Sequence, residues 1–272
     1  MRRQMQIKGL GVAIGLLTMS SGPALAGELW DDLAYDLFGD RVLHDGSAVL
    51  ELEMPARAQD AAIVPVTLRN LLPGDDDRQI KQLTLVIENN PAPVAAEFEI
   101  GQNAGLRSLS TRVRVETYTD VHAVAELDDG ELYLVQTFVK ASGGCAAPAT
   151  RNLQEARKTA GQMQLRQFER ASEDVSDEGL QEIQVQIRHP NNSGLQMDQL
   201  TRLYTPAWFV DSLSVWQGED LLLSMEGGIS ISEDPTFRLD YQPNGANVLR
   251  VEASDTDGNH FEKEWRLQTA EL

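Results

Sequence analysis

The chain has 272 residues, with 23 basic and 42 acidic side chains, and its formal net charge at pH 7 is −19. So acidic a protein repels nucleic acid and anionic lipid surfaces, which excludes functions that rest on binding them and favours cationic partners. Hydrophobic residues make up 42% of the chain, which argues against a disordered protein and for a globular one.

The N-terminus has the three parts of a secretory signal peptide. Arg2, Arg3 and Lys8 give a basic start, residues 9–17 are apolar, and Ala24-Leu25-Ala26 supplies a small-x-small cleavage site. We predict a signal peptide over residues 1–26 and a periplasmic mature protein that is not membrane-bound; an uncleaved membrane anchor is the alternative. The leader holds three basic and no acidic residues, so its removal leaves 20 basic against 42 acidic side chains, a net charge of −22.

A short helix is predicted directly after the leader. Leu29, Leu33 and Leu37 recur at helical spacing, and Gly39 ends the pattern. Only one face of this segment is apolar, so we expect an amphipathic helix that packs as a lid on the first domain.

The period of the pattern then changes to two, which indicates half-buried strands. Turn signals such as Asp45-Gly46, Pro73-Gly74 and Asp129-Gly130 separate the runs. Seven short strands in roughly 100 residues are typical of an immunoglobulin-like sandwich, here without the core disulfide of antibody domains. The runs cover residues 48–54, 64–68, 83–87, 94–100, 113–115, 121–127 and 132–140.

The second half repeats this architecture without repeating the sequence. Residues 149–178 are polar with weak helical periodicity, and we interpret them as a partly helical linker. The predicted fold class is all-β, with two immunoglobulin-like β-sandwich domains in tandem, residues 28–148 and 179–272. Alternating runs in the second domain cover residues 183–187, 213–215, 221–225, 237–241, 249–253 and 261–267.

Cys145 is the only cysteine, so it cannot form an internal disulfide even in an oxidising compartment. It follows Gly143 and Gly144 just past the last strand of the first domain, where we expect a flexible, exposed thiol. An exposed thiol with a lowered pKa forms mixed disulfides, persulfides or thiosulfonates. Lys140 favours the thiolate and the acidic surface opposes it. A buried, inert cysteine is the alternative.

The remaining polar motifs predict no metal or organic cofactor. His189 precedes a proline, and we interpret it as a turn residue. His44, His122 and His260 are scattered without metal-ligand spacing. Residues 255–259 have a faint likeness to a calcium loop but lack its distal glutamate, so a hairpin turn is favoured.

These features together resemble a known family. The first half resembles SoxY and the second half SoxZ, the two subunits of the sulfur-compound carrier in bacterial thiosulfate oxidation. The motifs that carry the resemblance are Ala61-Ala62-Ile63-Val64-Pro65-Val66, Asn90-Pro91-Ala92-Pro93-Val94-Ala95, Thr111-Arg112-Val113-Arg114, Val139-Lys140-Ala141-Ser142-Gly143-Gly144-Cys145, Val185-Gln186-Ile187-Arg188-His189-Pro190 and Asp255-Thr256-Asp257-Gly258.

The resemblance implies that Cys145 is the covalent attachment point for an oxidised sulfur compound and that Gly143 and Gly144 act as the swivel of a carrier arm. It implies a carrier, not an enzyme, that serves periplasmic sulfur-oxidation enzymes or c-type cytochromes. Fused chains of this kind are associated with PQQ-dependent quinoprotein dehydrogenases. The family's cysteine lies near a free chain end, whereas 127 residues follow Cys145, so this arm is tethered at both ends.

Two other functions remain as alternatives. The chain is an interaction module for a quinoprotein dehydrogenase or its cytochrome if its acidic surface, and not Cys145, carries the function. It is a thiol enzyme if Cys145 is a nucleophile with His122 or His189 as its base. An enzyme needs a rigidly oriented base, which a glycine arm does not supply, so the sequence favours the carrier.

Overall fold

The computed structural model describes residues 26–150, 153–168, 179–198 and 201–268. The predicted signal peptide lies outside these described residues except for Ala26, and so do residues 151–152 and 169–178 of the predicted linker. Within the described ranges, no helix is long and apolar enough to cross a membrane.

The chain is almost entirely β-structure, as the sequence predicts. Every predicted strand run corresponds to an observed strand, although the run at 113–115 begins earlier, at Ser108, and ends at Val113. The elements in order are α1 (Ala26–Phe38), β1 (Leu43–Asp45), β2 (Leu50–Glu53), β3 (Val64–Asn70), β4 (Ile80–Ile87), β5 (Val94–Ile100), β6 (Ser108–Val113), β7 (Thr119–Leu127), β8 (Leu132–Val139), α2 (Leu153–Thr159), β9 (Met163–Phe168), β10 (Gln181–Ile187), β11 (Val210–Gln217), β12 (Asp220–Gly227), β13 (Thr236–Tyr241), β14 (Val248–Asp255) and β15 (His260–Arg266).

Helix α1 ends where the sequence predicts. Gly39 adopts a left-handed conformation with φ of +65°, and its N–H donates to the Tyr35 carbonyl at 2.8 Å, which closes the last turn. On the packed face, the Trp30 ring stacks on the His122 ring of β7, with centroids 3.7 Å apart and planes 6° apart. The helix therefore covers the first half as a lid.

The strands form two sheets. The nine-stranded sheet has the order β1-β8-β7-β4-β5-β12-β11-β14-β15, and the six-stranded sheet has the order β2-β3-β6-β13-β10-β9. Alternation along the strands gives each sheet one face toward the core, as in β14, where every second residue is buried. The two sheets thus enclose one apolar core.

The two halves of the chain are joined edge to edge in both sheets. Strand β5 of the first half pairs with β12 of the second, with Phe98 opposite Met225. Strand β6 pairs with β13, with Leu109 opposite Leu239. Both pairings satisfy strand edges that would otherwise expose backbone hydrogen-bonding groups. The two sandwich halves are therefore one hydrogen-bonded unit, which the sequence did not predict.

Part of the predicted linker belongs to the second sandwich. Helix α2 lies inside it as predicted, but β9 also lies inside it and pairs with residues 182–187 of β10. The alternation in β9 is weak because only Met163 is fully buried and two glutamines and an arginine separate the apolar residues. The short strand β1 was also missed, because three residues are too few to show a period.

Candidate functional site: the cysteine junction

Cys145 lies where loops from both halves of the chain meet. It follows β8 of the larger sheet, and the loop after β6 lies beside it. From the second half, the loop after β10 reaches it with Ser193, and the loop after β12 reaches its neighbourhood with Ser230. We call this meeting point the cysteine junction, and residues 143–145 the cysteine segment.

The backbone of the cysteine segment is fixed by hydrogen bonds to the loop after β6. The N–H of Gly143 donates to the Glu116 carbonyl at 2.7 Å, and the N–H of Gly144 donates to the Val115 carbonyl at 3.1 Å. The N–H of Cys145 donates to Glu116 Oε2 at 2.8 Å, a bond strengthened by the carboxylate charge. In this conformation the segment is docked and is not a free arm.

The two glycines are needed for different reasons. Gly143 has φ of +79°, which L-residues with a side chain rarely adopt, and open space surrounds its Cα. Gly144 has no unusual φ but is tightly packed. A Cβ there would lie 2.1 Å from the Ala61 carbonyl oxygen and 2.6 Å from that of Val115. Their role as a swivel stays a prediction. At Gly144 the close packing of these carbonyls leaves no room for a side chain.

The second half closes over the cysteine. The Ser193 hydroxyl donates to the Cys145 carbonyl, and the same serine is held by a hydrogen bond from its N–H to Gln196 at 3.0 Å. Ser193 and Gln196 are buried. The junction is therefore complete only when both halves are present.

The Cys145 side chain is fully buried, with 0% exposure. The expectation of an exposed thiol is wrong for this conformation, because the loop after β10, more than 40 residues further along the chain, covers the segment. Burial raises the pKa of the thiol from 9.0 to about 12, the negative charge of Glu116 adds to the rise, and the positive charge of Arg114 opposes it. The docked thiol is therefore protonated and unreactive at neutral pH.

Sequence reasoning missed the polar residues that build the junction. Arg114 is only 2% exposed, and its Nη1 donates to the Gly144 carbonyl at 3.3 Å. Asn90 accepts from the Glu116 N–H at 2.8 Å and donates to the Arg114 carbonyl at 2.8 Å, so it fixes both residues. No sequence signal marked Arg114, because Val113-Arg114-Val115 alternates regularly and predicts a solvent-facing arginine; only the structure shows all three residues buried.

Neither histidine offered as a base forms a hydrogen bond with Cys145 in the described parts of the chain. His122 Nε2 lies 3.0 Å from Glu88 Oε2 beneath Trp30. His189 does lie in a turn, as predicted, but it is buried, with Nδ1 2.7 Å from Asn191 Oδ1. Burial lowers the pKa of both imidazoles. Their partners give them structural roles in packing.

The other chemistry of the molecule lies away from the junction. Among the described residues, no group of three or more histidine, cysteine, aspartate or glutamate side chains is placed to hold a metal ion. A cavity of about 290 Å³ opens at the other end of the strands, lined by residues such as Leu68, Ile80 and Ser108. Those residues mark the end of β3 and the starts of β4 and β6, whereas Cys145 lies near the opposite strand ends.

Comparison with known proteins finds a protein family that matches each half of the chain. The Sulfur oxidation protein SoxY family matches residues 34–145, so the match ends at Cys145. The Sulphur oxidation protein SoxZ family matches residues 170–266. No curated protein matches the chain.

Two solved structures show weak similarity to part of the chain. The sulfur carrier protein SoxY from Chlorobium limicola f thiosulfatophilum is 24% identical over 42% of this chain and 96% of its own, with a TM-score of 0.33. The superoxide reductase (neelaredoxin) from Ignicoccus hospitalis is 12% identical over 38% of this chain and 97% of its own, also with a TM-score of 0.33. These structural likenesses are too weak to add to the family matches.

Fold and site define an all-β protein of two edge-joined sandwiches that close over one docked cysteine. The order and extent of the two matches make the family plain. The chain belongs to the SoxY and SoxZ families and is a fused SoxYZ-like protein, with its SoxY domain first.

Proposed function

We propose that this protein is a periplasmic carrier that holds a sulfur-compound intermediate covalently on Cys145 and presents it to separate enzymes. The observation that supports it best is the position of the only cysteine. It ends the SoxY match and lies on a loop segment that is held by two backbone and three side-chain hydrogen bonds and not by strand pairing. Such contacts open far more readily than a strand in a sheet.

The carrier cycle begins with release of the cysteine segment. A thiol with a pKa of about 12 is a poor nucleophile, so the docked state protects Cys145 and the undocked state exposes it. Loading joins the Cys145 sulfur to the terminal sulfur of a small sulfur compound. When both are thiols, forming that S–S bond releases two protons and two electrons, and the electrons pass to a haem-type acceptor in the loading enzyme.

The proposed partners follow from the compartment and from the charge. Residues 1–26 direct export, and the mature chain carries a net charge of −22, which steers cationic partner surfaces toward it. Periplasmic sulfur-oxidation enzymes and c-type cytochromes are the partners we propose, with a PQQ-dependent dehydrogenase as a further candidate.

The test is the intact mass of the mature protein, purified from the periplasm without reductant and measured again after reduction. The carrier proposal predicts a reducible adduct on Cys145, and its mass identifies the cargo. Cys145→Ser is the matched control, because serine replaces one atom and keeps the backbone bonds of the segment. An adduct that persists in Cys145→Ser contradicts the proposal.

One observation favours a second function, a non-covalent accessory module. The buried, protonated thiol is also what an inert structural cysteine would show. In that case the protein binds a quinoprotein dehydrogenase or its cytochrome through its acidic surface. A salt-sensitive pull-down from periplasm that is equal for wild type and Cys145→Ser, together with a bare thiol in the mass measurement, would select this function.

A further inference from the structure

Arg114 is a buried cation that forms no ion pair with any described residue. Its side chain is fully enclosed, and in the described parts of the chain no carboxylate lies within ion-pair distance of its guanidinium. Its backbone is fixed from both sides, since its N–H donates to the Ser230 carbonyl at 2.7 Å and its carbonyl accepts from Asn90 at 2.8 Å. A buried charge without a counter-charge is costly, so such a site favours any anion that can reach it.

The guanidinium of Arg114 is also poorly satisfied in hydrogen bonds. It has five N–H donors, yet its acceptors are two neutral carbonyls, Gly144 at 3.3 Å from Nη1 and Asn191 at 3.2 Å from Nη2. Both distances are long for N–H···O bonds. The Nε atom is buried and has no hydrogen-bond partner among the residues that the structure describes. Nε and Nη2 form one edge of the guanidinium, and this edge binds two oxygens of a carboxylate, phosphate or sulfonate in parallel.

This edge belongs to the cysteine junction. Nη1 binds the residue that precedes Cys145, and the positive charge acts on the Cys145 sulfur. In the described parts of the chain, one hydrogen bond occupies this edge, the long one from Nη2 to the Asn191 carbonyl, in the loop that covers the cysteine. When that loop shifts, an oxyanion attached to Cys145 can replace the Asn191 carbonyl and engage Nε as well.

We propose that Arg114 is the specificity-determining residue of the carrier site and binds the negatively charged end of the group attached to Cys145. This rests on the proposed carrier function and extends it to the class of cargo: sulfonate-type oxyanions are retained in preference to neutral adducts. The negative charge of Glu116 also acts on the Cys145 sulfur and repels the same group, and the negative charges of Asp60 and Glu233 act on Arg114. The selectivity is therefore moderate.

The test loads Cys145 chemically with groups that share a two-carbon spacer and differ in the charge of the end group. The thiolate attacks the sulfenyl sulfur of a methanethiosulfonate reagent, a mixed disulfide forms, and methanesulfinate leaves with the electron pair. The sulfonatoethyl reagent leaves an anion, the hydroxyethyl reagent a neutral group and the trimethylammonioethyl reagent a cation. The measurement is the rate at which dithiothreitol releases each group from the folded protein, divided by the same rate in urea.

In wild type we expect the anionic group to be released about tenfold more slowly than the neutral one, the difference between a charge-assisted and a neutral hydrogen-bonded contact. Arg114→Gln should bring the two rates together. Arg112→Gln is the matched control, because Arg112 binds Asp234 and Thr236 and should keep the wild-type ratio. A purely structural role of Arg114 would change all release rates alike and leave their ratio unchanged.

If the anionic and neutral groups are released from the wild-type protein at equal rates, after division by their rates in urea, the inference is wrong. This comparison needs no variant, so the inference stays testable even if Arg114→Gln fails to fold. The result is also separate from the carrier function, because chemical loading needs no loading enzyme. Periplasmic protein without an adduct contradicts the carrier function, whereas charge-independent release contradicts only the role of Arg114.

Discussion

The carboxylate of Glu116 accepts a hydrogen bond from the backbone N–H of Cys145 at 2.8 Å, and its charge also lies close to the cysteine sulfur. One side chain therefore both holds the cysteine segment in place and suppresses ionisation of its thiol. The docked state and the unreactive state of Cys145 are in this way the same state.

Replacing Glu116 by glutamine should make Cys145 more reactive. Glutamine keeps an oxygen acceptor but removes the charge, which weakens the bond to the Cys145 N–H by about 1 kcal/mol and opens the segment about fivefold more often. The thiol pKa should fall as well. The measurement is the alkylation rate of Cys145 by iodoacetamide at pH 8. Glu219→Gln, an exposed position in the β11–β12 turn, is the control and should leave the rate unchanged.

Gly144→Ala should prevent docking. The added Cβ meets two backbone carbonyls that cannot move aside, and overpacking of this kind costs about 1–3 kcal/mol, which corresponds to an alkylation rate about 5- to 150-fold higher. Gly143→Asn is the comparison, because asparagine tolerates positive φ and the space there is open. If Gly144→Ala leaves the rate at the wild-type value, the docked conformation is not the resting state in solution.

Docking should depend on pH in the alkaline range. Because burial raises the pKa of Cys145 from 9.0 to about 12, the docked state favours the protonated thiol. Docking is therefore at full strength below pH 9 and weakens as the pH rises from 9 toward 12. The alkylation rate of wild type should keep rising beyond pH 10, whereas that of Gly144→Ala should level off. Parallel pH profiles would contradict the raised pKa.

Mild acid should destabilise the whole protein through its buried histidines. Burial lowers the pKa of His122, so the folded state favours the neutral ring, and this contribution to stability is complete above pH 6.5 and is lost as the pH falls below it. Urea unfolding at pH 7.5 and 5.5 measures the difference. His122→Gln should reduce it, because glutamine keeps a donor for Glu88 without titrating. His260→Gln, at an exposed position, should not.

The two halves should unfold as one unit. Phe98 of β5 packs on Phe237 of β13 with ring centroids 6.4 Å apart, and both rings are fully buried. Phe98→Ala should lower the free energy of unfolding by about 3–5 kcal/mol, while Phe138→Ala, at a 45% exposed position, should change it little. A single urea transition, seen both by tryptophan fluorescence and by far-UV circular dichroism, would support unfolding as one unit. Two separate transitions would show that the halves are independent domains.

The sequence alone determined the strands, because hydrophobic alternation is a local pattern that reflects which face of each strand is buried. The runs around Val64, Phe98 and Leu249 all became strands on that basis. It also determined helix α1 with its end at Gly39. It singled out Cys145 because the chain contains no second cysteine with which it could form a disulfide. These properties depend on residues that lie next to one another in the chain.

Only the tertiary structure decided how the halves join and where the cysteine lies. The pairings of β5 with β12 and of β6 with β13 link residues more than 100 positions apart, and no local period encodes which edges meet. For the same reason the loop that carries Ser193 could not be seen to cover Cys145, and Arg114 could not be told from a solvated arginine. Burial depends on what packs against a residue from elsewhere in the chain, so the docked thiol and its neighbouring cation became visible only in the folded structure.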